Sequence, residues 1–218
     1  MDAQLVTLTE VSASTESIIS QDLLTGSSNL HYPSHGSMQA RTLCNLADQY
    51  WISAGKDSQI IYFTPVRSSP KTQTAKIICP GRITAIAVSK CNQFIFVGIG
   101  ELTYFWQIAT GDLLATLDGP FQPVSVIVTN EEYVVIGSED GSVVVWPIFQ
   151  ILDRCDRDIR HIWRKHTSSV TDLIIGCESL AVSASLDSNC HVSYIFLLFK
   201  KKLIDFLNPR FTTWQQKK

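Results

Sequence analysis

The stretch SEDGSVVVWPI, residues 138–148, sets a polar tight turn before a run of valines and closes the run with a tryptophan. A lone hairpin needs no indole at its end. A repeat would bring the same pattern back at a fixed interval, and that would bound the whole chain. Aligned on Asp140, the pattern returns upstream in SAGKDSQIIYF, with Asp57 in the turn and Phe63 in the tryptophan position. It returns downstream in SASLDSNCHVS, with Asp187 in the turn and Ser193 in the last position. Between them VGIGELTYFW ends in Trp106 and lacks the aspartate. Phe63, Trp106, Trp146 and Ser193 are 43, 40 and 47 residues apart.

Each unit carries further short runs before the turn. The second reads RITAIAVS, QFIFVGI and LTYFWQI; the third reads VSVIVT, YVVIGS and SVVVWPI; the fourth reads VTDLIIG and LAVSAS. They are rich in Val, Ile, Phe and Tyr and are bounded by Gly, Asp, Ser and Asn, which is the signature of strands and tight turns. Their nearly continuous apolar character suits strands covered on both faces. ATGDLLATL and the early QDLLTGSSNL each read as a strand end, a Thr-Gly turn and an outer strand.

Composition agrees with a packed domain. Of 218 residues, 45% are hydrophobic and 17% charged, and the net charge is −2. A substantial core is possible, and a dedicated nucleic-acid surface is disfavoured. Six cysteines (Cys44, Cys79, Cys91, Cys155, Cys177 and Cys190) form no CxxC pair and read as reduced thiols. The N-terminus MDAQLVTLTE has no basic and apolar leader, and YIFLLF is far short of a bilayer span, so the expected location is cytosol or nucleus.

These spacings resemble the WD-repeat β-propeller family. In that family a histidine, a serine, an aspartate and the tryptophan form a hydrogen-bonded chain, the serine four residues before the aspartate and the tryptophan six after. His35, Ser53, Asp57 and Phe63 match this spacing with the indole replaced, and His166, Ser183 and Asp187 match it with Ser193 last. A turn carboxylate accepting from His N–H and backbone N–H groups, with a hydroxyl linking onward, rigidifies a blade. An enzymatic reading of the two Ser/His/Asp sets fails on context, because the serines sit inside strands without a GxSxG elbow. Gly98-Ile99-Gly100 precedes a strand rather than a helix, and His31, His161 and His191 lack metal-ligand spacing. No catalytic residue, cofactor or metal site is expected.

The expected fold is all-β, an incomplete WD-repeat propeller over 1–191 with about four blade units of the seven the family closes. The units fall at about 1–32, 33–79, 80–120, 121–150 and 166–191. A charged insert over 147–165 places Ile148, Ile151, Leu152, Cys155, Ile159 and Ile162 on one helical face, with Arg154, Arg157 and Arg160 among alternating charges opposite. Residues 192–218 shift to Tyr, Ile, Phe, Leu and Lys, and Val192-Ser193 is encodable by a splice-donor-like sequence. The tail is therefore expected to be translated intron rather than propeller.

The order of CPGRITAIAVS, GDLLATL and the charged insert before HTSSVTDL is similar to the WD-repeat subunit of Rix-type complexes, the Ipi-three type. That resemblance covers about Leu5 to Asn189. It implies a non-catalytic scaffold in large ribosomal subunit assembly and pre-rRNA spacer processing, in the nucleolus and nucleoplasm. Implied partners are the other Rix-type subunits and the pre-60S particle, with no small-molecule substrate, no membrane, and RNA contact open. The insert arginines become candidate partner contacts. The alternative is a generic WD-repeat adaptor, such as a substrate receptor of a ubiquitin ligase.

Overall fold

The computed structural model describes residues 4–12, 15–22, 28–31, 40–47, 50–55, 59–65, 75–119, 122–153, 161–176 and 180–195. They form five antiparallel sheets, each built from strands consecutive in sequence. The first has three strands, β1 (Gln4–Ser12), β2 (Thr15–Asp22) and β3 (Ser28–His31). The second has four, β4 (Ala40–Leu46), β5 (Tyr50–Gly55), β6 (Ile60–Pro65) and β7 (Ala75–Ile78). The third comprises β8 (Ile83–Val88), β9 (Phe94–Ile99), β10 (Leu102–Gln107) and β11 (Leu113–Asp118).

The fourth sheet comprises β12 (Val124–Thr129), β13 (Tyr133–Ser138), β14 (Ser142–Pro147) and β15 (His161–Arg164), with helix α1 (Ile148–Asp153) after β14. The last is three-stranded: β16 (Val170–Ile175), β17 (Leu180–Ser185) and β18 (Cys190–Tyr194). Strand β8 lies against β4 and β12, and β12 lies against β16. First strands that meet in series while the other strands fan outward make successive sheets into propeller blades. The first strands β4, β8, β12 and β16 share a register irregularity near their start, at Ala40/Thr42, Ile83/Ala85, Val124/Val126 and Val170/Asp172.

Side-chain alternation explains the continuous valine runs. In β13 and β14, Val134, Ile136, Val144 and Trp146 enter one apolar cluster, shared with Phe96 and Phe105 of the preceding blade. Their neighbours Tyr133, Val135, Val143 and Val145 enter a second cluster, shared with Val170, Leu173 and Ala181 of the following blade. A third cluster joins Ile52, Ile61 and Phe63 to Ile95, Val97 and Trp106. With both faces covered, both parities of the strand must be apolar. Close blade approach also needs a small residue. A Cβ on Gly137 would come within 2.7 Å of Val170, and one on Gly98 within 2.7 Å of Val124.

Two expectations need correction. Of the helix expected over 147–165, Ile148–Asp153 is helical, 154–160 lies outside the described residues, and His161–Arg164 is not helix but the outer strand of its blade, with Trp163 opposite Val143. Ile162 packs against the cluster of the preceding blade and Trp163 against that of the following blade, so adjacent residues are both apolar. A doubly covered strand thereby imitates part of a helical stripe. The second correction concerns the stretch read as tail: β18 runs on to Tyr194, paired with Leu180, and Ile195 is fully buried. The remainder, 196–218, lies outside the described residues.

Candidate functional site

His166 lies between β15 and β16, Ser183 in β17, and Asp187 in the turn before β18. The His166 Nε2 is 2.8 Å from Ser183 Oγ, and its Nδ1 is 3.1 Å from Asp187 Oδ2. Asp187 also accepts the N–H groups of Thr167 and Asn189, each at 2.9 Å. The Thr167 N–H leads the effects that hold its carboxyl down to about 2, outweighing burial, with the Asn189 N–H and His166 adding to it. The atoms follow the order of a hydrolase triad, yet the His166 and Asp187 side chains are only 1% and 7% exposed and Ser183 is buried. A nucleophile needs a path to its substrate, and this set instead ties a strand, a turn and the entering chain together. Ser193, the last position of the pattern, does not extend the chain of bonds to Ser183. Its Oγ accepts from Lys165 Nζ at 2.9 Å, a contact the sequence pattern did not indicate.

The other pattern positions behave differently. Asp140 caps its own turn through the Ser142 N–H at 2.8 Å and the Ser142 hydroxyl. Burial pushes its carboxyl up, and the Ser142 and Ser138 bonds bring it below the usual carboxylate range. The residue in the serine position of that blade is Ile136, so no further link forms. Trp106 and Trp146 are buried between blades, and the Trp146 Nε1 has no partner among the described residues. Ser53 is fully buried, whereas His35 and Asp57 lie outside the described residues, as do Arg154, Arg157 and Arg160.

Phe63 does not occupy the tryptophan position. Opposite-strand pairing relates Gly98, Gly137 and Ala184 to Ala54, because each pairs with the residue after the irregularity of its first strand. Three residues earlier, Ile95, Val134 and Ala181 face Trp106, Trp146 and Ser193, but Trp51 faces Thr64. One extra residue between Asp57 and Ile61 shifts β6 by one, and a one-residue shift turns every side chain to the other face. Trp106 and Trp146 therefore pack backward on the preceding blade, while Phe63 packs forward on the next.

The surfaces left free are more suggestive than any buried group. On the β16–β18 face that has no blade beyond it among the described residues, Ile174, Val192 and Tyr194 are 61%, 56% and 53% exposed. Ala184 sits there in the small-residue position that Gly98 and Gly137 hold on covered faces. Two of the thiols are held in the unreactive protonated form, since burial pushes Cys44 up to about 11 and Cys79 up to about 12, whereas Cys91 and Cys190 are exposed. Among the described residues no group of three or more His, Cys, Asp or Glu could hold a metal ion, and no helix is long and apolar enough to cross a membrane.

Stacked antiparallel blades, a repeated small-residue contact and a buried His–Ser–Asp clasp define a β-propeller chain of the WD-repeat family, and this chain belongs to it. The family described as WD domain, G-beta repeat matches residues 111–147, a span from the start of β11 to the end of β14. The sequence repeat thus straddles two blades.

Among curated proteins the chain is 30% identical over 176 residues to WD repeat-containing protein 18 of Danio rerio, covering 77% of this chain and 40% of that one. It is 29% identical over 203 residues to Protein ROOT INITIATION DEFECTIVE 3 of Arabidopsis thaliana, covering 86% and 45%. It is 31% identical over 120 residues to the Pre-rRNA-processing protein pro-1 of Caenorhabditis elegans, covering 51% and 22%. The chain therefore spans less than half the length of the curated relatives it matches. Two of these names are those of a repeat-containing and a processing protein, and none of the three names an enzyme. The crystal structure of the computationally designed Ika8 protein superimposes with a TM-score of 0.58 at 23% identity, over 87% of this chain and 58% of that one, a likeness of fold.

Proposed function

We propose that the chain is a non-catalytic scaffold in large ribosomal subunit assembly and pre-rRNA spacer processing. It works in the nucleolus and nucleoplasm, where it holds the other subunits of a Rix-type complex on the pre-60S particle. The observation that carries the reading is the similarity to a pre-rRNA-processing protein. It is supported by a frame whose one complete Ser/His/Asp set is buried among the described residues, so that activity falls to exposed faces. Rigid sheets that present loops and rims to several partners suit that task. Affinity purification of the tagged chain from nuclear extract should recover large-subunit assembly factors, and depletion should raise spacer-containing pre-rRNA. Recovery of ubiquitin-ligase subunits with unchanged pre-rRNA would replace this reading with a generic adaptor.

Arg154, Arg157 and Arg160 contact one subunit of that complex, because they lie in a β14–β15 connection that is longer than the β10–β11 turn. Reversing all three charges should release a subunit without lowering the melting temperature. A complex of unchanged composition would return these arginines to solvent.

A further inference from the structure

Two neighbouring inter-blade grooves are built alike and filled differently. Between the β8–β11 and β12–β15 blades, the cluster includes Phe94, Phe105, Ala115, Leu117 and Ile148. Strand pairing relates these to Tyr50, Phe63, Ala75, Ile77 and Ile108, which line the groove between the β4–β7 and β8–β11 blades. The backbone repeats as well: Ile108 N donates to Gln93 O at 2.9 Å, and Ile148 N donates to Glu132 O at 2.7 Å.

The difference is one side chain. After Ile148 the chain turns into α1, which buries Ile151 in the cluster. After Ile108 it makes the tight turn Ala109–Gly111, which supplies no such residue. What remains is an open, mostly apolar groove of about 370 Å³. Lys76 lines it, is exposed, and makes no ion pair among the described residues.

We propose that this groove docks a helical turn of a partner protein, with a branched aliphatic side chain in the role of Ile151 and an acidic residue reaching Lys76. The chain's own α1 shows the shape that fits such a groove, and the exposed ammonium, free of an ion pair among the described residues, sets the charge of the visitor. The inference rests on the reading of the chain as a binding scaffold, not on ribosome assembly. Loss of peptide binding would leave the co-purification result standing, and the reverse holds too.

The probe is a fluorescein-labelled, end-capped peptide with the α1 sequence IFQILD and its aspartate side chain free, titrated with the full chain and followed by anisotropy. Saturable binding is expected. Ala75→Trp, at an exposed wall position, should fill the groove and weaken binding about tenfold or more, the equivalent of losing one buried aliphatic side chain. It also separates this groove from the one α1 itself fills. Lys76→Glu should weaken binding several-fold, and parent-like affinity there would remove the acidic residue from the proposal. Should Ala75→Trp lower the melting temperature sharply, the peptide variant carrying Ile151→Asp decides in its place, because it leaves the protein untouched. No saturable binding to the parent chain, or undiminished binding after filling the groove or after Ile151→Asp in the peptide, overturns the proposal.

Discussion

Replacing Trp146 with alanine should cost more stability than any loss of a hydrogen bond could explain. The indole is 4% exposed and lies in the cluster between the second and third four-stranded blades, beside Phe96, Phe105, Val134 and Ile148. Truncating a buried tryptophan costs about 3–5 kcal/mol through lost transfer energy and a cavity that packed strands close only in part. For a chain of this size each kcal/mol lowers the melting temperature by about 2–4 °C, so Trp146→Ala should melt about 6–20 °C below the parent. The Nε1 has no partner among the described residues, so none of that loss is a broken bond. Trp146→Phe removes a buried unsatisfied N–H, which by itself costs about 1–3 kcal/mol, and this offsets part of its smaller cavity. Circular-dichroism melts of the three proteins test the account. A Trp146→Ala melt within about a degree of the parent would take the indole out of the core, and a Phe variant as damaged as the Ala variant would mean that Nε1 matters.

Other substitutions follow from single observations. The Asp187 carboxyl is held at about 2 in the fold, below the ~3.9 of an unfolded aspartate, so its contribution is present above pH ~4 and lost as pH falls towards 2. Asp187→Asn should therefore lower the melting temperature at neutral pH and flatten its decline over that acid window, measured by melts at stepped pH. Ser188 has φ 65° where the corresponding turn residue of the preceding blade is Gly141 at φ 82°. Ser188→Gly should gain about 0.5–1 kcal/mol in urea unfolding, because a left-handed serine costs about 1–2 kcal/mol and glycine returns part of that as unfolded-state entropy. The double variant Ile174→Lys/Val192→Lys, on the open face of the last blade, should raise the concentration at which the chain aggregates in light scattering and leave the melt nearly unchanged.

The fold was legible because its signals are local. A turn, a short apolar strand and, in two units, a closing indole recur at blade spacing, and the strands of the two middle blades are covered on both faces, so even a coarse reading finds them. Two features were not local. The extra residue after Asp57 keeps the aspartate and serine spacing intact while moving Phe63 out of the tryptophan position, and only the pairing of Ile52 with Phe63 reveals it. The strand His161–Arg164 carries Ile162 and Trp163 side by side because two different blades cover it. Read along the chain, Ile159 and Ile162 continue a helical stripe, and no rule of periodicity separates the two. The groove was invisible for the same reason: it is the absence of one residue in a turn, and it appears only when two blades are laid in register.

The position of the His166 clasp follows from the same accounting of faces. The β8–β11 and β12–β15 blades each share a cluster with a neighbour on both sides, whereas the described neighbours of the β16–β18 blade contribute a cluster on one side only. In a stack where each unit is stabilised by its neighbours, a unit with half the apolar contact is the first to open. Among the described residues, that blade is also the one in which a histidine, a serine, an aspartate and two backbone N–H groups are bonded across strand, turn and connection. In the blade before it, the position of Ser183 is held by Ile136, the aspartate caps its own turn and feels the Arg164 charge of β15, and apolar packing covers both faces. Between these two blades, polar order and apolar coverage thus substitute for one another. The network that looks most like chemistry stands in a blade whose described apolar cover lies on one face only, where a structural clasp contributes most.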